Sequence, residues 1–131
     1  MKRQFVSAGL LLLVLLTLIA GPAGAQERNH PPVAVPDYAN LAEPFTYVVV
    51  DVVANDYDLD GDAILVTGLL DLDGGQAWLG KKSGTIVFRW VNETTGHPPA
   101  TVHYLLEDKH GASSVGTLTV YNFPTCDEAC Q

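Results

Sequence analysis

The chain has 131 residues, and its fifteen acidic side chains outnumber seven Lys and Arg to give a net charge of −8. That balance argues against nucleic acid, whose phosphates are held by Lys and Arg, and against an anionic membrane surface. The two cysteines, Cys126 and Cys130, stand in the last six residues without further Cys or His at ligand spacing, so neither a core disulfide nor a zinc site organises the fold.

The chain opens as a secretory leader. Lys2 and Arg3 precede an apolar run from Phe5 to Ala20, Gly21-Pro22 breaks it, and Ala23-Gly24-Ala25 offers a small-x-small cleavage site. The alternative is an uncleaved anchor, but the run is shorter than the ~20 residues a spanning helix needs. We expect a signal peptide over 1–25 and a secreted, extracellular or periplasmic mature chain. It divides into an extended entry segment at 26–31, one domain at 32–122 and a short tail at 123–131.

Beyond Pro32 the pattern predicts strands and no helix. Runs rich in Val, Ile, Leu, Thr and aromatics span 33–35, 45–53, 63–70, 76–79, 85–90, 101–107 and 114–121, and turn residues separate them. Alternation assigns faces. Ile86, Phe88 and Trp90 share one, with Thr85, Val87 and Arg89 opposite; Val102, Tyr104 and Leu106 share another. Val50, Val52, Ile64, Val66, Leu118 and Val120 complete the predicted core. Seven short strands in this length predict an all-β, immunoglobulin-like antiparallel sandwich of two sheets, with a small closed barrel as the alternative.

Between the second and third runs lies NDYDLDGD, residues 55–62, with Asp56, Asp58, Asp60 and Asp62 at every second position. Two carboxylates about 6 Å apart repel by roughly 3 kcal/mol near a protein surface. Four in one loop therefore call for a cation or for free exposure to water and salt. Ca²⁺ takes six to eight hard oxygen ligands in flexible geometry, and Gly61 permits the turn that wrapping needs. An EF-hand is excluded, because Thr67 stands where that loop requires a bidentate Glu. Mg²⁺ needs fewer protein ligands, and zinc and copper prefer nitrogen or sulfur. The competing reading is a bare, solvated acidic turn.

Four stretches carry a resemblance: NHPPVAV, DVVANDYDLDGDAILVTG, SGTIVFRW and VHYLLEDKHGASSVGTLTVYN. From Asn29 to Asn122 they resemble the cadherin-like, Ig-like repeat domains of bacterial surface proteins. The resemblance implies a calcium-binding module for extracellular binding or adhesion. By position, Asn55, Asp56, Asp58, Asp60 and Asp62 match that family's acidic loop, Asp108 its corner aspartate, and Asp37 the acidic residue after its first strand.

Other residues carry less. His103 lies opposite an apolar face, His30 and His97 precede Pro-Pro pairs, and His110 sits in a corner, so surface roles are expected for all four. Alternation sends Trp90 and Tyr104 to the core and leaves Trp78 as the exposed aromatic that a carbohydrate-binding module would use. Asn92-Glu93-Thr94 is a glycosylation sequon, informative only for a eukaryotic secretory route. No G-x-S-x-G elbow, H-E-x-x-H or cysteine nucleophile within the fold points to an enzyme. Cys126 and Cys130 are expected to bridge each other, closing a loop worth about 2 kcal/mol at best. The partner is an unidentified protein or glycan at an extracellular surface, with no membrane span after cleavage; a structural domain without a specific ligand is the remaining alternative.

Overall fold

A computed structural model describes residues 28–43, 46–91 and 98–123. The leader, His97, the sequon and the Cys126–Cys130 pair lie outside the described residues. Seven strands form: β1 (Asp37–Asn40), β2 (Val48–Asp51), β3 (Ile64–Asp73), β4 (Gln76–Leu79), β5 (Thr85–Arg89), β6 (Ala100–Asp108) and β7 (Ser113–Tyr121). They make a four-stranded sheet ordered β1-β7-β6-β3 and a three-stranded sheet ordered β2-β5-β4. This is the expected Ig-like sandwich, with no helix among the described residues.

Two expectations need correction. The first run, 33–35, is not a strand: Val33 makes an isolated bridge to Tyr57, since Pro32 and Pro36 have no N–H to extend a ladder. The first strand is instead β1, and it runs parallel to β7, with Asp37 opposite Leu118 and Asn40 opposite Tyr121. The other strand pairings are antiparallel.

The core lies between the sheets. Val52, Ile86, Phe88, Val102, Tyr104, Leu106, Leu118 and Val120 are fully buried, each contributing roughly 1.5–3 kcal/mol for an aliphatic or Phe-sized side chain. Trp90 meets Phe88 edge to face at 4.9 Å, and its Nε1 donates to the Leu41 carbonyl at 2.9 Å. Val50, Ile64 and Val66 are only half-buried, because β2 and β3 are edge strands of their sheets. Register shifts after Val66 and after Leu69 break the face alternation of β3, which leaves Leu70 and Leu72 exposed.

Candidate functional site

The acidic loop and the β6–β7 corner lie at one end of the sandwich, and their carboxylates fall into two groups. The inner group surrounds the hydroxyl of Tyr104. That hydroxyl lies 3.0 Å from Asp37 Oδ2, 3.4 Å from Asp56 Oδ2 and 3.5 Å from the Val52 carbonyl. Asp56 Oδ1 also accepts from the Val35 amide at 2.7 Å, tying the stretch before β1 to the loop, and the Asn55 side chain acts to lower the Asp37 carboxyl. Burial holds the Asp37 carboxyl above the usual carboxylate range; the Tyr104 bond opposes this and the charge of Asp56 adds to it. Burial likewise raises Asp56, against the bonds from Val35 and Tyr104. Tyr104 itself stays a phenol far into alkaline pH, through burial and then the two neighbouring carboxylates.

The outer group comprises Asp58, Asp60, Asp62 and Asp108. Asp58 Oδ1 accepts the amides of Asp60 at 2.8 Å and Asp62 at 3.2 Å, a local turn closed by Gly61, whose φ is +77°. Asp60 binds His30 twice, through its amide at 2.6 Å and its ring Nδ1 at 2.9 Å. These bonds, the amide first, hold its carboxyl below the usual range. The Asp62 side chain is only 7% exposed; Lys109 Nζ stands 2.5 Å from its Oδ1 and His110 Nε2 stands 3.2 Å from its Oδ2. Asp108 closes the corner: Oδ1 accepts the amides of His110 at 2.8 Å and Ala112 at 2.9 Å, and Oδ2 accepts from Asn29 at 2.7 Å. Burial pushes the Asp108 carboxyl up, but those bonds outweigh it and leave it lowered.

The crowding in the loop is thus relieved by dispersal. Each aspartate turns to a different partner, and Lys109 is the loop's own cation. Its hydrogen bond to Asp62, then the charges of Asp62, Asp58 and Asp108, keep the ammonium protonated above its ordinary range. Sequence reasoning missed these partners. The signal available was Lys109-His110, directly after Asp108 in the corner.

Among the described residues no three Asp, Glu, His or Cys side chains converge into a grouping that would hold a metal. The donor chemistry nevertheless suits a hard cation. Asp58 Oδ2 and Asp62 Oδ2 are shielded from solvent and have no hydrogen-bond donor, the His110 ring standing near Asp62 without hydrogen-bond alignment. A shielded carboxylate oxygen without a donor is costly, and a cation is one group that could relieve such an oxygen.

Away from the corner, Trp78 is 43% exposed on β4, as alternation expects, while Trp90 and Tyr104 are buried. Among the described histidines, His103 pairs with Asp71 at 2.5 Å on the strand surface; His30 and His110 both serve the acidic corner. No described helix is long and apolar enough to cross a membrane.

A family model described as a bacterial Ig domain matches residues 29–121. No curated protein matches the chain. Among solved structures, the chain is similar to a nucleoside hydrolase-related hypothetical protein from Saccharophagus degradans, described as associated with carbohydrate metabolism. The two share 17% identity at a TM-score of 0.49, and the match covers 71% of this chain and 26% of that one.

Proposed function

We propose, from the premise that this chain belongs to the bacterial Ig domain family, that it is a cadherin-like extracellular binding module whose acidic corner takes up Ca²⁺. The family is one of non-catalytic modules typical of surface proteins, which accords with a leader and an acidic mature chain. The observation that carries the calcium reading is the pair of shielded, donorless oxygens, Asp58 Oδ2 and Asp62 Oδ2. Asp58, Asp60 and Asp62 would hold the ion, with Asp108 bracing the corner beside them. Asp37, Asn55 and Asp56, gathered round Tyr104, would fix the base of the loop.

The ammonium of Lys109 pairs with Asp62 and is held by the charges of Asp58 and Asp108, so calcium uptake at these carboxylates entails its displacement. An affinity of about 10⁻⁴–10⁻³ M, the range of extracellular modules, follows. Calorimetric titration of metal-free mature chain tests this: saturable heat with Ca²⁺, reduced by Asp58→Asn or Asp62→Asn, is expected. Absence of heat at millimolar Ca²⁺ sinks the reading.

A further inference from the structure

The outer face of the three-stranded sheet is apolar at its centre. Register places Val49, Val87 and Trp78 side by side across β2, β5 and β4. Val49 is 53% exposed and Trp78 43%, while Val87 between them is only 9% exposed. With Tyr47, also exposed, they floor an open groove of about 560 Å³ that continues to Gly80 and Lys81, within the size range of ligand sites.

Charge distinguishes this face. Outside the leader the chain has five Lys and Arg residues, and three of them, Lys81, Lys82 and Arg89, border this strip. Arg89 lies 5.9 Å from the Trp78 ring and donates to Gln76 at 2.8 Å, marking one side. Lys81 and Lys82 line the other. Lys82 pairs with Asp51, whereas Lys81 makes no ion pair among the described residues. A protein of net charge −8 therefore presents a positive border round an exposed aromatic strip.

We propose that this face binds an acidic glycan, a chain of uronate sugars. Pyranose rings have flat C–H faces that pack on Trp78 and the Val87–Val49 strip, and their carboxylates complement Arg89 and Lys81. A peptide strand of the same charge would find its main-chain partners at the open edges of β2 or β4, and the open face offers it none. The inference does not depend on calcium, and its test is run in chelator so that the two readings fail separately.

The test is titration of the mature chain with an oligogalacturonate, a neutral cello-oligosaccharide of equal length and an oligo-glutamate peptide. The uronate should bind, more tightly than the neutral sugar, with an affinity that falls as salt rises. Trp78→Ala should weaken it about tenfold, the scale of losing one aromatic contact, and Tyr47→Ala less. Lys81→Gln with Arg89→Gln should weaken it and flatten the salt dependence. Because Trp78 and Tyr47 are exposed, thermal melting verifies that each variant is folded. No uronate binding at millimolar concentration, binding indifferent to both aromatic variants, or equally tight oligo-glutamate binding would overturn the proposal.

Discussion

Asp37 and Asp56 converge on one hydroxyl, that of Tyr104, at 3.0 and 3.4 Å. A phenol has one proton to donate, so only one of the two carboxylates can receive it at a time. Both acids are held above their ordinary range, burial being the first cause. The native state therefore holds protons on these groups more tightly than the unfolded chain does. Their contribution to stability is fully present below the unfolded value near 3.8 and is lost as pH rises through the raised native values. Asp37→Asn keeps an acceptor for Tyr104 and removes the titration. In metal-free protein its stability relative to the parent should grow between about pH 4 and pH 7, read by urea denaturation at several pH values. An unchanged difference across that range would show that Asp37 titrates normally.

The same tyrosine constrains β7. Gly116 stands opposite Tyr104 in register, and a Cβ there would lie 2.0 Å from the ring's Cζ. Gly116→Ala should cost about 1–3 kcal/mol by overpacking and drive the hydroxyl off Asp37. Combining it with Tyr104→Leu should cost less than the sum of the two single changes. Additive costs would place the strain elsewhere.

Asp108 works through the backbone. Its Oδ1 takes two amides of the corner, where Gly111 has φ +85°, and its Oδ2 holds Asn29. Asp108→Ala should lower stability by about 1–3 kcal/mol, the cost of leaving such donors unmet. For a domain of this size that is a fall in Tm of roughly 4–8 °C per kcal/mol. The contribution has the opposite pH sense to that of Asp37: a lowered carboxyl stabilises above the unfolded value and loses its effect as pH falls through the native one. The gap between parent and Asp108→Ala should therefore narrow in acid.

Much of this was legible in sequence, and the limits have physical causes. Period-two runs placed Ile86, Phe88, Val102, Tyr104 and Leu106 in the core because a strand with one buried face must alternate. β1 escaped notice because Asp37-Tyr38-Ala39-Asn40 has no apolar alternation. It is ordered by parallel pairing to a strand about 80 residues away, and local chemistry does not announce such a pairing. The acidic loop was visible as a concentration of charge, yet its relief was not, since His30 and Lys109 come to it from positions about 80 residues apart in the sequence. Val87 looked like a solvent-facing position until its neighbours Val49 and Trp78 were fixed by register.

Lys109 decides between the two readings of the acidic corner. If its ammonium is a permanent counter-ion, Lys109→Gln leaves the shielded Asp62 without its lysine and with only the His110 ring beside it, lowers stability, and no ion restores it beyond what screening does. If Ca²⁺ competes for the same carboxylates, the variant loses stability without metal but binds the ion more tightly than the parent, because nothing has to be displaced. For an affinity of about 1 mM, 10 mM Ca²⁺ stabilises the native state by about 1.4 kcal/mol, roughly 6–11 °C in Tm. Lys109→Gln should exceed that response, and Asp62→Asn, which removes the shielded charge itself, should fall short of it. Sodium chloride at equal ionic strength provides the screening control. A Lys109→Gln variant that calcium stabilises no more than sodium chloride does would assign the corner to lysine alone.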